Sequence, residues 1–211
     1  MRSKDSGVTL VELLVVMVIM GIVSGMIISV WFALDKASAF SSTSDQQQGF
    51  GRDAISRMAS EIRDAQSPGK NTTAFVVASP YEIDFYTTYN TAGASVPGTT
   101  PTLARFILKN DGAIYREWAG ADGTFGTAGG VSSLLVSNVV NQSQNPKQDL
   151  FTYWAYNASG NLYPSNGTTT VIPASAIANV TITALVDLNP GRSPKYLTLQ
   201  TTVQPRNVLQ L

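Results

Sequence analysis

The sequence predicts an α+β chain: one long N-terminal α-helix, membrane-spanning in its first half and amphipathic in its second, packed on a C-terminal antiparallel β-sheet head. Three observations predict it. Residues 13–34 form an uncharged run of 22 in which 18 are apolar. Beyond it, Ile55, Met58, Ile62 and Ala65 recur at helical spacing. From residue 74 the pattern changes to a period of two, rich in aromatic and β-branched residues.

Composition removes most other classes. The chain has 211 residues, with 14 basic and 14 acidic side chains, so no positive excess exists to neutralise a nucleic acid. It has no cysteine, hence no disulfide framework, thiol nucleophile or thiolate metal site. It has no histidine, hence no His-dependent triad and none of the usual zinc-protease ligand sets. Charged residues make up only 13%, about half the usual share. No cofactor is expected.

The first element is the apolar run. At ~1.5 Å per residue, 22 residues cover roughly 33 Å, enough for a hydrocarbon core of ~30 Å. Arg2 and Lys4 precede it, and positive charge before a span favours a cytoplasmic N-terminus with the remainder outside. A secretory signal peptide competes with this reading. It needs a shorter apolar region and an early cleavage site, whereas here a helical pattern continues through Phe40, Phe50 and Ile55. Within the run, Gly21, Gly25 and Ser29 lie four apart and form a small-residue stripe on one face, of the kind that lets helices approach closely in lipid.

The second half of the helix is expected to bury its apolar stripe on a sheet. Its Arg52, Asp53, Arg57, Glu61, Arg63 and Asp64 read as a solvated face. Ser67-Pro68-Gly69 ends the helix near Gln66. The head follows. Strands are expected at 81–89, 103–109, 113–118, 131–140 and 150–157, with Asn110-Asp111-Gly112 as a hairpin turn. Two more follow, one alternating from Asn179 to Leu188 and one from Leu197 to Gln204, joined by a loop over 189–194.

Candidate chemistry in the head is sparse. Asn110-Asp111-Gly112 and Ala121-Asp122-Gly123 hold cation-friendly residues but not the EF-hand ligand order, so turns are expected and no metal. Glu82, Asp84 and Glu117 offer carboxylates for a glycosidase-like pair, against a simpler role as solvated strand residues. Trp118, Tyr153, Trp154 and Tyr156 are expected in core or interface packing rather than in an exposed binding patch. Asn157-Ala158-Ser159 is a sequon of the sort expected by chance in this composition.

Glu12 resists a plain anchor reading, since a carboxylate at the edge of hydrocarbon is costly without a partner. Thr9-Leu10-Val11-Glu12 fits a capping box at a helix start. The wider string Gly7-Val8-Thr9-Leu10-Val11-Glu12-Leu13, after the basic MRSKDS, resembles the cleavage and methylation motif of type IV prepilins and type II secretion pseudopilins. Val8 departs from the usual Phe, and Ser29 stands where many major pilins carry proline. The helix ending at 57–66 and the late Arg206-Asn207 further resemble PilW-type minor pilins and GspJ-type pseudopilins.

The resemblance implies a structural subunit, not an enzyme. A prepilin peptidase would cut between Gly7 and Val8, and the new Val8 amine would be N-methylated. Glu12 would set the register of assembly, with Gly21, Gly25 and Ser29 in helix packing. The implied segments are a cleaved leader over 1–7, a membrane and filament-core helix over 8–34, an amphipathic helix over 35–67 and a head over 68–211. The implied partners are the peptidase, other pilins, an inner-membrane platform protein and its assembly ATPase, with no nucleic acid. The protein would sit in the cytoplasmic membrane before assembly and in an extracellular or envelope-spanning filament after it. A filament priming or capping role, type II secretion and DNA uptake all suit these residues. So does a single-span protein displaying an adhesive or carbohydrate-binding head, and a membrane-tethered enzyme is a more distant reading.

Overall fold

A computed structural model describes residues 9–69, 72–88, 101–120, 123–126, 130–165, 172–190 and 196–206. The chain divides into two compact units, Met1–Ser44 and Asp45–Leu211. One helix, α1 (Leu10–Arg63), contributes to both. Its start is built as the capping box requires. Thr9 Oγ1 accepts the Glu12 backbone N–H at 3.3 Å, and the Thr9 carbonyl accepts the Leu13 N–H at 3.2 Å. Its end comes at Arg63, three residues before the expected limit. There the Ala65 N–H turns back to the Ile62 carbonyl, and the Gln66 N–H leaves the helix to donate to the Tyr86 carbonyl.

Among the described residues nine strands follow: β1 (Phe75–Ser79), β2 (Glu82–Thr87), β3 (Thr102–Leu108), β4 (Ile114–Trp118), β5 (Val131–Val136), β6 (Phe151–Tyr156), β7 (Leu162–Pro164), β8 (Asn179–Asp187) and β9 (Tyr196–Val203). They form two antiparallel sheets rather than one. The first is a five-stranded meander, β1-β2-β3-β4-β5. The second has four strands in the order β7-β6-β8-β9. The α+β class holds, and β1, β7 and the split into two sheets are additions to the expected pattern. β7 is three residues long and only half-buried at best, which is too short for a period to show.

The second unit has one core. Ala54, Ile55, Met58, Ala59 and Ile62 of α1 share it with Phe75, Ile83, Phe85 and Phe106 of the first sheet and Phe151, Val180, Ile182 and Val186 of the second. The rings of Phe85 and Phe106 lie 5.4 Å apart, a favourable tilted contact. Gly51 marks the closest approach of α1 to the second sheet. A Cβ there would lie 2.7 Å from Leu199 Cδ1 and 3.4 Å from Val186 Cγ2.

The hairpin between β3 and β4 is present, and its glycine is required twice over. Gly112 has φ +73°, and a Cβ on it would meet the Val139 carbonyl at 3.1 Å. β5 stops at Val136 instead of continuing to residue 140, because Asn138 takes φ 60° and Val139 bridges to Val186 in β8. β8 departs from the alternating, half-solvated pattern: seven of its nine residues are buried, Thr181 and Thr183 among them. The fully buried Asn141 lies along the margin of this strand. Its Nδ2 donates to the Thr183 carbonyl at 2.7 Å, and its Oδ1 accepts the Leu185 N–H at 2.8 Å, so an amide side chain completes the margin of the strand. β9 keeps the alternation.

Candidate functional site

The first unit presents its chemistry at the N-terminus. Gly7 and Val8 lie outside the described residues. Thr9 and Glu12 are both exposed, and the Thr9 hydroxyl also lies 3.5 Å from Glu12 Oε2. The cap therefore satisfies the helix start locally and leaves the Glu12 carboxylate accessible.

From Leu13 to Leu34 the helix is apolar and uncovered. Met17 is 66% exposed and Trp31 72%. α1 is long and apolar enough to cross a bilayer, and none of its most apolar window is buried. An all-round apolar helix is stable only against lipid or other apolar helices. Gly21 and Gly25 both sit within the helix with open space where a Cβ would be. Ser29 satisfies its hydroxyl within the helix, donating to the Gly25 carbonyl at 2.9 Å. The stripe is thus sterically open and has no unmet polar demand, which suits close backbone contact with another helix.

In the head, the three carboxylates that the sequence singles out are each paired with a cation. Glu82, Asp84 and Glu117 are not free carboxylates on a solvated strand. Arg105 sits opposite Asp84 and Glu117 in the first sheet. Its Nε and Nη2 donate to the two oxygens of Asp84, each at 2.8 Å, and Nη2 also reaches Glu82 at 2.8 Å. Lys109 holds Glu117 at 2.7 Å. Asp84 is 3% exposed, which only this pairing makes tolerable. Partial burial raises the Glu82 carboxyl above its ordinary value against the pull of Arg105.

Glu61 corrects the solvated-face reading of α1. It is 3% exposed, and its Oε2 lies 2.6 Å from Nε of Arg116, itself 1% exposed on β4. Arg57 approaches the other Glu61 oxygen at 3.3 Å, and the Arg116 guanidinium stacks 3.3 Å from the Trp118 ring. Burial raises the Glu61 carboxyl, an effect that Arg116 and Arg57 oppose. Burial likewise lowers Arg116 to about 10. The signal for this pair was weak: Glu61 falls three residues after Met58 on the apolar stripe, and Arg116 alternates in phase with Ile114 and Trp118.

Trp118 and Tyr153 are core residues, the latter donating its hydroxyl to the Ser79 and Glu82 carbonyls. Trp154 donates to Thr181 Oγ1 at 2.9 Å, and Tyr156 is 54% exposed. Asp111 serves its turn, accepting from the Ala113 N–H and the Tyr115 hydroxyl. Ala121 and Asp122 lie outside the described residues. The Asn157 side chain accepts from the Ser159 and Asn161 backbones, closing an exposed turn. Among the described residues no cluster of three or more His, Cys, Asp or Glu side chains is arranged to hold a metal.

Residues 2–28 match the family model described as the prokaryotic N-terminal methylation motif. No curated protein matches the chain. The match covers the capped helix start, Glu12 and the first turns of the apolar run. It supports the type IV prepilin and pseudopilin family, whose members are structural subunits rather than enzymes.

Proposed function

We propose that the chain is a minor pilin: a structural subunit of a type IV pilus-like filament, assembled through its apolar N-terminal helix after processing by a prepilin peptidase. The observation that carries this reading is a carboxylate, Glu12, left accessible at the edge of an uncovered apolar helix inside a matched methylation motif. Cleavage between Gly7 and Val8 would create a cationic amine at similar depth to Glu12, and Val8 would be the methylated residue. A charge at the centre of a spanning helix costs about 2.5–3.5 kcal/mol on insertion scales, and a carboxylate at the hydrocarbon edge carries a smaller cost of the same sign. Pairing with the amine of a neighbouring subunit offsets that cost and fixes the axial register of the two helices.

Gly21, Gly25 and Ser29 then form the contact face with neighbouring helices, and the head, from residue 68, lies outside the membrane. Removal of residues 1–7 takes away Arg2, Lys4 and Asp5, leaving 12 basic and 13 acidic side chains. The anchoring positives are lost with the leader, which eases extraction into a filament. The partners are other pilins, the inner-membrane platform protein and, through it, the assembly ATPase. Contacts of this heterologous kind propagate without closing. Resemblance of the head to PilW-type and GspJ-type proteins favours a position that primes or caps the filament.

The test is Glu12→Ala in cells that make the whole apparatus. The variant is expected to be cleaved and to remain in the membrane while disappearing from sheared filaments. Incorporation equal to wild type contradicts the pairing.

A further inference from the structure

The second unit has an open sheet margin beside a basic helix face, and the two meet in one groove. The groove has a cavity volume of about 450 Å³, with Arg52, Ile55, Ala59 and Arg63 of α1 on one side and Leu199 and Gln200 of β9 on the other. Among the described residues β9 is the last strand of its sheet, paired only with β8. Which of its backbone groups are unpaired follows from β8. The N–H groups of Thr183, Leu185 and Asp187 donate away from β9, to the Leu150 carbonyl, Asn141 Oδ1 and the Asn138 carbonyl. Their β9 partners, Gln200, Thr198 and Tyr196, therefore form the non-hydrogen-bonded pairs of the ladder. The N–H and C=O groups of these three residues point outward, and among the described residues they meet no backbone partner.

Arg52 and Arg63 are eleven residues apart, about three helical turns, so they lie on one face roughly 16 Å apart. Both are exposed, and among the described residues neither forms an ion pair. Asp53 and Asp64 adjoin them in sequence but do not line the groove. Ile55, Ala59 and Leu199 supply an apolar floor.

We propose that this groove takes an extended acidic segment of a partner protein, added as a strand along the open margin of β9 with its carboxylates on Arg52 and Arg63. An unpaired strand margin is satisfied by extended backbone, and two guanidiniums call for carboxylates. At ~3.3 Å per residue, two acidic side chains four residues apart share one face of an added strand and, with the reach of the arginine side chains, meet both guanidiniums. The assignment is independent of the role of the N-terminal helix.

The test uses the full chain in detergent micelles and a fluorescent, end-blocked peptide of alternating Val and Thr flanked by aspartates, with a lysine-flanked peptide as control. Binding is read by anisotropy. Gln200→Pro removes an outward N–H that β8 does not use, so the existing ladder is retained. Arg52→Glu combined with Arg63→Glu reverses the charge. The acidic peptide is expected to bind wild type and to weaken about tenfold or more with either variant. Three outcomes overturn the proposal: no binding at about 1 mM peptide, equal binding of the lysine peptide, or binding unchanged in both variants. Self-association of the chain that Gln200→Pro abolishes, without peptide binding, assigns the margin to a second copy instead and also overturns it.

Discussion

Glu61 and Arg116 show how a single pair ties the helix of the head to its first sheet. Both are nearly inaccessible, so each charge depends on the other. Removing one partner of such a pair typically costs about 3–5 kcal/mol, because the survivor is left buried and uncompensated. Arg116→Met is expected to destabilise the head by about that amount in urea titration. The double replacement with Glu61→Leu is expected to recover most of the loss. Equal destabilisation in single and double variants contradicts this account. The same burial has a consequence for pH. The Glu61 carboxyl is raised above 4.5 by desolvation, and burial raises Glu82 and Asp149 too. The folded chain thus keeps these protons to higher pH than the unfolded chain. Stability from these groups is present below their ordinary values, 4.5 for the glutamates and 3.8 for Asp149, and falls as pH rises through the raised ones. The unfolding midpoint of the head is expected to be higher at about pH 5 than at pH 7, with a smaller difference in Glu61→Gln. A midpoint that climbs with pH over this window contradicts it.

At the scale of elements, α1 lies close to the second sheet because position 51 carries no side chain. Leu199 Cδ1 occupies the space a Cβ would need, and Leu199 is half-buried on a marginal strand, so its side chain can yield. Gly51→Ala is expected to be near neutral, the small clash offset by about 1 kcal/mol of helix propensity. Gly51→Leu has no such room and is expected to cost about 1–3 kcal/mol, read as a lowered unfolding midpoint. A neutral Gly51→Leu contradicts the close approach. These cases also mark what was legible in the sequence. The span, the capped start, the hairpin at Gly112 and the alternating β9 carry local signals of period, capping and turn chemistry. The pairing of Glu61 with Arg116, and of Asp84 with Arg105, does not. A buried charge looks like a surface charge until its partner strand is known. β8 misled for the same reason: Thr181 and Thr183 alternate like solvated residues, yet both are buried, Thr181 beneath Trp154 of β6, while Asn141 closes the backbone margin of the strand. The split into two sheets depends on long-range pairing, to which periodicity is blind.

Taken whole, the chain combines two units of opposite character. The head has its own core, and its buried charges Glu61, Asp84 and Arg116 are paired. The N-terminal unit has a helix whose apolar residues from Leu13 to Leu34 are uncovered, a start capped by Thr9 and an accessible Glu12. The stretch 2–28 that matches the methylation motif lies in this unit. A soluble protein gains nothing from such a surface, whereas a subunit that moves from lipid into a bundle of like helices uses all of it. On the proposed function, the Gly21, Gly25 and Ser29 stripe and the head's basic groove would act separately, the first in helix packing and the second in binding a partner segment. The proposed pairing requires maturation, since an amine to answer Glu12 would exist only once the leader is gone. Intact mass of the protein purified from cells containing prepilin peptidase tests this most directly. The account predicts a chain that begins at Val8 and carries one added methyl group. A chain that retains Met1, or one cut beyond residue 30, contradicts it.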